Sequence, residues 1–125
     1  MIELGIRGQS IVRVCFDAAV VIVTSGDCEL RVETQAALVT SAREKLLFDP
    51  ESPKDASPHL VDLVDAVVFD AEAEEDGELA VGFEGGRRLI VQPDVDYEAW
   101  TFVDPTGLRL TCMPGGEIAV WKKKE

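Results

Sequence analysis

The stretch from residue 93 to residue 121 constrains the fold most, because it consists of short apolar runs separated by strong turn signals. Asp104-Pro105-Thr106-Gly107 has proline and glycine at the positions where a β-turn favours them. Pro114-Gly115-Gly116 separates two further runs, at residues 108–112 and 117–121. Runs of this length with alternating polarity are typical of antiparallel strands, so the stretch predicts a series of hairpins.

The same alternation of apolar and polar residues continues through the rest of the chain. The apolar run from Val20 to Val23 lacks a polar face, which places it inside a sheet with strands on both sides. Asp76-Gly77 and Gly85-Gly86 are hairpin turn signals. The remaining predicted strands are residues 2–7, 10–16, 29–33, 66–74, 79–83, 89–91 and 97–103.

Residues 35–48 allow two interpretations. Their alanine, leucine and glutamate content favours a helix by propensity, whereas the same residues also form two short alternating runs at 37–40 and 45–48. We favour the two strands.

Two prolines and several charges make residues 49–56 a linker, and Ser57 followed by Pro58 is a typical helix start. We therefore expect an α+β, mainly antiparallel β fold of about nine or ten strands, with one short helix near residues 57–64. Residues 1–125 are expected to be a single domain, with a first β meander at 1–48, a second at 65–121, and a basic tail at 122–125. The two halves resemble each other weakly, through Phe16-Asp17-Ala18 and Phe69-Asp70-Ala71.

The charge of the chain is strongly negative and unevenly distributed. The formal net charge is −12, and residues 65–104 hold 12 acidic side chains against Arg87 and Arg88. Such a field repels nucleic acid and anionic membranes and favours a basic protein partner. No leader or transmembrane segment is recognisable, and the three cysteines form no disulfide framework, so we expect a cytoplasmic protein with reduced thiols.

No residue set predicts catalysis, a cofactor or a metal. Glu72, Glu74, Asp76 and Gly77 have the spacing that begins a calcium loop, but Phe83 stands where the loop needs a carboxylate. His59 is the only histidine, and nothing in the sequence places it beside a cysteine. We therefore expect a protein that is not an enzyme.

The aromatic and acidic residues of the second half are the best candidates for an interaction surface, because tyrosine and tryptophan are enriched at interfaces. In a strand, Glu98 would share the face of Trp100, two residues later. The alternative is therefore that Glu98 faces the core and forms an ion pair with Arg87, Arg88 or Arg109. The candidate surface comprises Glu72, Glu74, Glu75, Asp76, Tyr97, Glu98, Trp100 and Trp121.

The C-terminal third resembles an uncharacterised family of small actinobacterial β-rich proteins. The residues that carry this resemblance are 89–94, Tyr97-Glu98-Ala99-Trp100, Gly107 and the run Cys112–Trp121, with a weaker extension to Asp49-Pro50 and residues 60–64. The resemblance implies a fold unit and transfers no catalytic residue.

These observations favour a non-enzymatic acidic domain that binds a basic protein, by analogy with immunity proteins that neutralise toxins. The alternatives are a small-ligand or regulatory module, and a structural domain that self-associates as a homodimer through an edge strand or the Trp100/Trp121 region.

Overall fold

The computed structural model describes residues 1–122, so the predicted basic tail lies outside the described residues except for Lys122. Within this range the chain forms twelve strands, one 3-10 turn at Lys54–Ala56 and one α-helix, α1, at Ser57–Val61. The strands are β1 Ile2–Glu3, β2 Ile11–Phe16, β3 Val20–Thr24, β4 Glu29–Val32, β5 Ala36–Val39, β6 Lys45–Phe48, β7 Val68–Ala73, β8 Leu79–Phe83, β9 Arg88–Val91, β10 Trp100–Val103, β11 Arg109–Cys112 and β12 Ile118–Trp121.

The strands form two antiparallel six-stranded sheets with the orders β1-β7-β8-β9-β5-β6 and β12-β11-β10-β4-β3-β2. The mainly antiparallel β prediction with one short helix is confirmed, although the expected count of nine or ten strands was too low. Residues 35–48 form the two strands β5 and β6, and β3 lies between two neighbours, as its apolar faces predicted.

The two sheets share one hydrophobic core. Inward-facing residues of both sheets are buried in a single cluster, which includes Val81 and Leu89 from the first sheet and Leu30 and Phe102 from the second. Leu60 and Leu63, on and just after α1, belong to the same cluster. Burial of this apolar surface is the main force that holds the sheets together.

The helix begins differently from the expectation. Ala56 is its N-cap residue, and no side chain donates or accepts a capping hydrogen bond there. The prediction that Ser57 caps the helix was wrong because the 3-10 turn at Lys54–Ala56 leads directly into α1, so that Ser57 is already helical. No helix within residues 1–122 has the length and apolar character needed to cross a membrane.

The two halves of the chain have the same connectivity. Each half places three consecutive strands in one sheet and then sends its next hairpin to the opposite sheet, where β4 pairs with β10 and β9 pairs with β5. The register also matches, because Val20 pairs with Val32 in the first half as Leu79 pairs with Val91 in the second. A bulge follows Ile11 in β2 and Val68 in β7.

The backbone hydrogen bonds that join the two halves are related by a local two-fold axis. Ser10 and Val67 form an isolated antiparallel bridge. The N–H of Ile11 donates to Ala66 O at 2.9 Å, and the N–H of Val68 donates to Gln9 O at 2.8 Å. The bridge therefore relates the start of β2 to the start of β7.

The weak sequence similarity pointed to a repeat but paired the wrong residues. In the sheets, the exposed bulge residue Phe69 corresponds to Val12, whereas the sequence comparison paired it with Phe16. Strand pairing decides the equivalence, and it places Phe16 opposite Val20 at the position where Ala73 lies opposite Leu79.

Candidate functional site

The acidic turn between β7 and β8, residues 74–77, is anchored to the core by a hydrogen bond from a buried side chain. Trp100 is fully buried, and its indole Nε1–H donates to Gly77 O at 2.9 Å. Glu74, Glu75 and Asp76 of the turn are exposed. The interpretation of Trp100 as part of an exposed recognition surface was therefore wrong: its ring fills the core, and its one polar atom fixes the turn.

A second turn, residues 113–117 between β11 and β12, packs against the acidic turn. A side-chain carbon at Gly77 would lie 2.5 Å from Gly116 O, so glycine is required for this approach. Cys112 is buried beneath the same contact, with its Sγ 3.5 Å from Gly77 O. Burial raises the pKa of the Cys112 thiol, and the negative charge of Asp76 raises it further.

The loop before β10, residues 93–98, is the third segment at this end of the molecule. Asp94 organises it by accepting the backbone N–H groups of Asp96 at 2.8 Å and Tyr97 at 3.2 Å. Thr34 Oγ1 donates to the same carboxylate at 2.9 Å, and Gly115 N–H donates to Asp94 O. The bonds to the carboxylate, that from Asp96 foremost, lower the pKa of Asp94 below its usual value.

This loop and its neighbours surround a recess of about 600 Å³. Four carboxylate residues from three parts of the chain line it, and we call it the acidic recess: Glu33, Glu51, Asp96 and Glu98. Tyr97, with 72% of its surface exposed, stands at its edge, and Met113 and Pro114 supply apolar wall. Among residues 1–122, no lysine or arginine lines it.

Glu98 does not make the ion pair that was expected from its sharing a strand face with Trp100. Residues 97–99 precede β10, so strand alternation does not apply to them. Neither ion pair found within residues 1–122 includes Glu98, since Arg87 contacts Asp62 and Arg31 contacts Glu33 at 3.5 Å. Arg109 instead lies over the Trp121 ring, 5.6 Å from its centroid. Glu98 is half-buried and faces the acidic recess.

The remaining predicted surface residues are not brought together with the recess. Glu72 lies on β7, where it pairs with Glu3 and lines a separate depression beside Phe69. Trp121 is half-exposed at the end of β12 that is remote from the 113–117 turn. The structure thus separates the eight predicted residues into a buried anchor, an acidic turn with the adjacent recess, and two isolated positions.

The structure also places the residues considered for metal binding and nucleophilic chemistry. Within residues 1–122, no group of three or more acidic, histidine or cysteine side chains is arranged to hold a metal ion. His59 lines a depression with Asp62 and Arg87, whereas Cys112 lies beneath Gly77. A buried thiol with a raised pKa is predominantly protonated at neutral pH and is a poor nucleophile.

Sequence inspection missed three of the four residues of the acidic recess. Glu33, Glu51 and Asp96 are separated along the chain and belong to no motif. The turn signal formed by Pro93 and Asp94 was visible in the sequence. The other two carboxylates of the recess, however, come from the end of β4 and from the linker before α1. Only the crossing of the chain between the sheets brings them together.

A protein-family model covers nearly the whole chain. The model of DUF6188, a family of unknown function, matches residues 2–122. No curated protein and no solved structure matches the chain. The expected membership in an uncharacterised family is confirmed, while the actinobacterial origin and the C-terminal signature stay predictions.

Proposed function

We propose a non-enzymatic, cytoplasmic binding function for this chain, which belongs to DUF6188, a family of unknown function. The protein binds a basic segment of a partner protein in the acidic recess. One observation carries this proposal: four carboxylate residues from three segments line a single concavity with an exposed tyrosine at its edge, and no lysine or arginine among residues 1–122 lines it.

The chemistry of the recess fits an arginine or lysine side chain. Carboxylates accept charge-assisted hydrogen bonds from such cations, and a guanidinium also stacks favourably on a tyrosine ring. Glu33 already contacts Arg31, so Asp96 and Glu98 are the carboxylates that most directly meet an incoming cation. Met113 and Pro114 offer apolar surface to the methylene groups of its stem.

The acidic turn contributes a longer-range effect. Glu74, Glu75 and Asp76 are exposed and lie beside the 113–117 turn, whose Met113 and Pro114 line the recess. Their charge attracts a basic partner at low ionic strength and raises its association rate. Contacts in the recess then determine how tightly the partner stays bound.

The test compares two synthetic peptides that differ only in charge, (Gly-Arg)₃ and (Gly-citrulline)₃, by fluorescence titration at low salt. We expect the arginine peptide to bind and the citrulline peptide, which keeps the shape without the charge, to bind at least tenfold more weakly. The variant Asp96→Asn/Glu98→Gln neutralises the recess and is expected to weaken binding of the arginine peptide about tenfold, the loss of two charge-assisted contacts.

Two controls remove the same number of charges elsewhere. Glu74→Gln/Glu75→Gln changes the acidic turn and is expected to weaken binding about two- to threefold, mostly through the association rate. Glu3→Gln/Glu72→Gln lies away from the recess and is expected to leave binding within about twofold. Equal losses in all three variants, or equal binding of both peptides, would contradict a specific role of the acidic recess.

A further inference from the structure

The two halves differ in how the outer edge of their first strand is covered. β7 is paired along its outer edge by β1, and Leu4 N–H donates to Ala71 O just beyond that pair. β2, the equivalent strand of the first half, is the last strand of its sheet from Val12 to Phe16. The segment that would cover it by symmetry is folded instead into α1. Within the described residues 1–122, β2 thus presents an unpaired edge that its counterpart β7 does not.

The backbone groups on this edge alternate in a known way. Asp17 N–H donates to Ala19 O across the β2–β3 turn. In an antiparallel pair every second residue forms backbone hydrogen bonds to the neighbouring strand, so Cys15, two residues earlier, also bonds to β3. The backbone groups of Val14 and Phe16 therefore point outward, away from β3. Val12 and Phe16 are also exposed, at 51% and 42%.

We propose that β2 is a self-association site, at which β2 of a second copy of this chain pairs antiparallel with a two-fold axis through Cys15. In this register Val14 of each copy lies opposite Phe16 of the other, and Arg13 lies opposite Asp17. The pairing continues the six-stranded sheet into a twelve-stranded sheet across both copies and closes about four backbone hydrogen bonds.

The inward-facing side chains favour this register. Val14 lies opposite Ile22 and Phe16 lies opposite Val20. Ile22 and Val20 are buried in the core, whereas Val14 and Phe16 are partly exposed at the margin of the core. In the proposed pair, two valines and two phenylalanines meet across the axis and extend the core of each copy. This removes apolar side chains from water, the usual source of stability at homodimer interfaces.

The outward-facing side chains make the same register electrostatically self-complementary. Arg13 and Asp17 lie on the face opposite Val14 and Phe16, one on each side of Cys15. The two-fold axis brings Arg13 of each copy opposite Asp17 of the other copy, so the interface contains two such charge pairs. Opposite charges directly across a strand pair stabilise it, whereas like charges destabilise it.

The edge of β6 fits a second copy less well. β6 has four residues, and Asp49 just beyond it already forms a bridge with Ser52, whose N–H donates to Asp49 O. β2 has six residues and no such bridge along 12–16 among the described residues. The longer open edge is therefore the better site for strand addition.

The first test is a charge exchange, followed by sedimentation velocity of the full chain between about 5 and 500 µM. An interface of this small size predicts a dissociation constant on the order of 10–100 µM. Arg13→Asp alone and Asp17→Arg alone each place like charges opposite one another and are expected to raise this constant about tenfold. The double variant restores opposite charges and is expected to return within about threefold of wild type.

A second variant removes only the outward hydrogen bonds. Because the N–H of Val14 points away from β3, Val14→Pro leaves the β2–β3 pairing intact, as proline does at an edge strand. We expect this variant to be monomeric at 500 µM while its circular dichroism spectrum stays that of wild type. Val14→Thr keeps the N–H and the side-chain shape but loses apolar contact, so this control is expected to dimerise up to about tenfold more weakly than wild type while still forming dimer at 500 µM.

Cross-linking tests the position of the axis. Facing residues at a pair without hydrogen bonds have their Cα atoms about 4.5 Å apart, within the range of a disulfide. Diamide, which takes up the two electrons and two protons of the thiols, is expected to join the two Cys15 residues, while Cys28 and Cys112 are buried. Cys15→Ser is expected to abolish the cross-link.

A protein that remains monomeric at 500 µM overturns the proposal. A dimer that survives Val14→Pro, or that responds equally to the single and double charge variants, places the interface elsewhere and also overturns it. Binding of peptides at the acidic recess is measured on variants of other residues, so either proposal can fail without the other.

Discussion

The two halves of the chain have the same strand connectivity but different side chains at equivalent positions. Ala36 and Trp100 begin equivalent strands, pairing with Val91 of β9 and Val32 of β4 respectively. Ala36 is a small residue within the core, whereas Trp100 fills a large volume and fixes the acidic turn through its indole N–H. The two halves thus keep the same strand register, while the different side chains at one pair of equivalent positions give only the second half a tryptophan that anchors a turn.

The turns between equivalent strands have the same hydrogen bonds with different residues. Thr40 N–H donates to Glu44 O and Arg43 N–H to Thr40 O, as Asp104 N–H donates to Leu108 O and Gly107 N–H to Asp104 O. The side-chain oxygens of Thr40 and Asp104 also accept the N–H of the residue four positions later, at 3.2 and 3.1 Å. The turn geometry therefore tolerates either residue set.

We expect the largest effect from removing the difference between Trp100 and its buried equivalent, Ala36. Trp100→Ala gives β10 the residue type of Ala36 and leaves a cavity, so we expect the free energy of unfolding to fall by about 3–5 kcal/mol. Tyr97→Ala, an exposed aromatic three residues earlier, is the control and should cost less than about 0.5 kcal/mol. Urea unfolding measures both. A loss below about 1 kcal/mol for Trp100→Ala would contradict its role as an anchor.

The next effect compares a glycine and an arginine at equivalent turn positions. Gly107 has φ of 98° and Arg43 has φ of 66°, a region that disfavours residues with a side chain. Gly107→Ala is expected to lower stability by about 1–2 kcal/mol, and Arg43→Gly to raise it by about 0.5–1 kcal/mol, the strain relieved less the added chain entropy. Thermal unfolding measures both variants. Changes of the same sign would show that the two turns are not equivalent.

The smallest effect concerns pH. Hydrogen bonds, that from Thr106 Oγ1 foremost, lower the pKa of Asp104 below its usual value near 4. A folded-state pKa below the unfolded one contributes stability above the unfolded pKa, and this contribution is lost as the pH falls through the folded value. Asp104→Asn should therefore be less stable than wild type at pH 7, with the difference shrinking below about pH 4.

Thr40→Val is the matched control for the pH prediction, because it removes the equivalent acceptor without a titrating group. Its stability deficit should stay constant between pH 7 and pH 3. A pH-independent deficit for Asp104→Asn would show that the charge of this carboxylate contributes nothing to the turn.

Local pattern alone determined the existence and type of most elements. Alternating residues with turn signals specify strands wherever they occur, which is why the hairpins around Asp76-Gly77 and Pro105-Thr106-Gly107 were foreseen. The helix near residue 57 was also visible from its proline. Such features depend on neighbours a few positions apart, and the sequence contains that information directly.

Only the tertiary structure decided which sheet each strand joins and which side chains meet. Neighbouring strands in the sheets come from distant segments, as β4 and β10 do, and nothing in their sequences names the partner. The burial of Trp100 and the convergence of Glu33, Glu51, Asp96 and Glu98 both follow from that crossing. Burial and proximity depend on packing of the whole chain, which the pattern of any one segment does not contain.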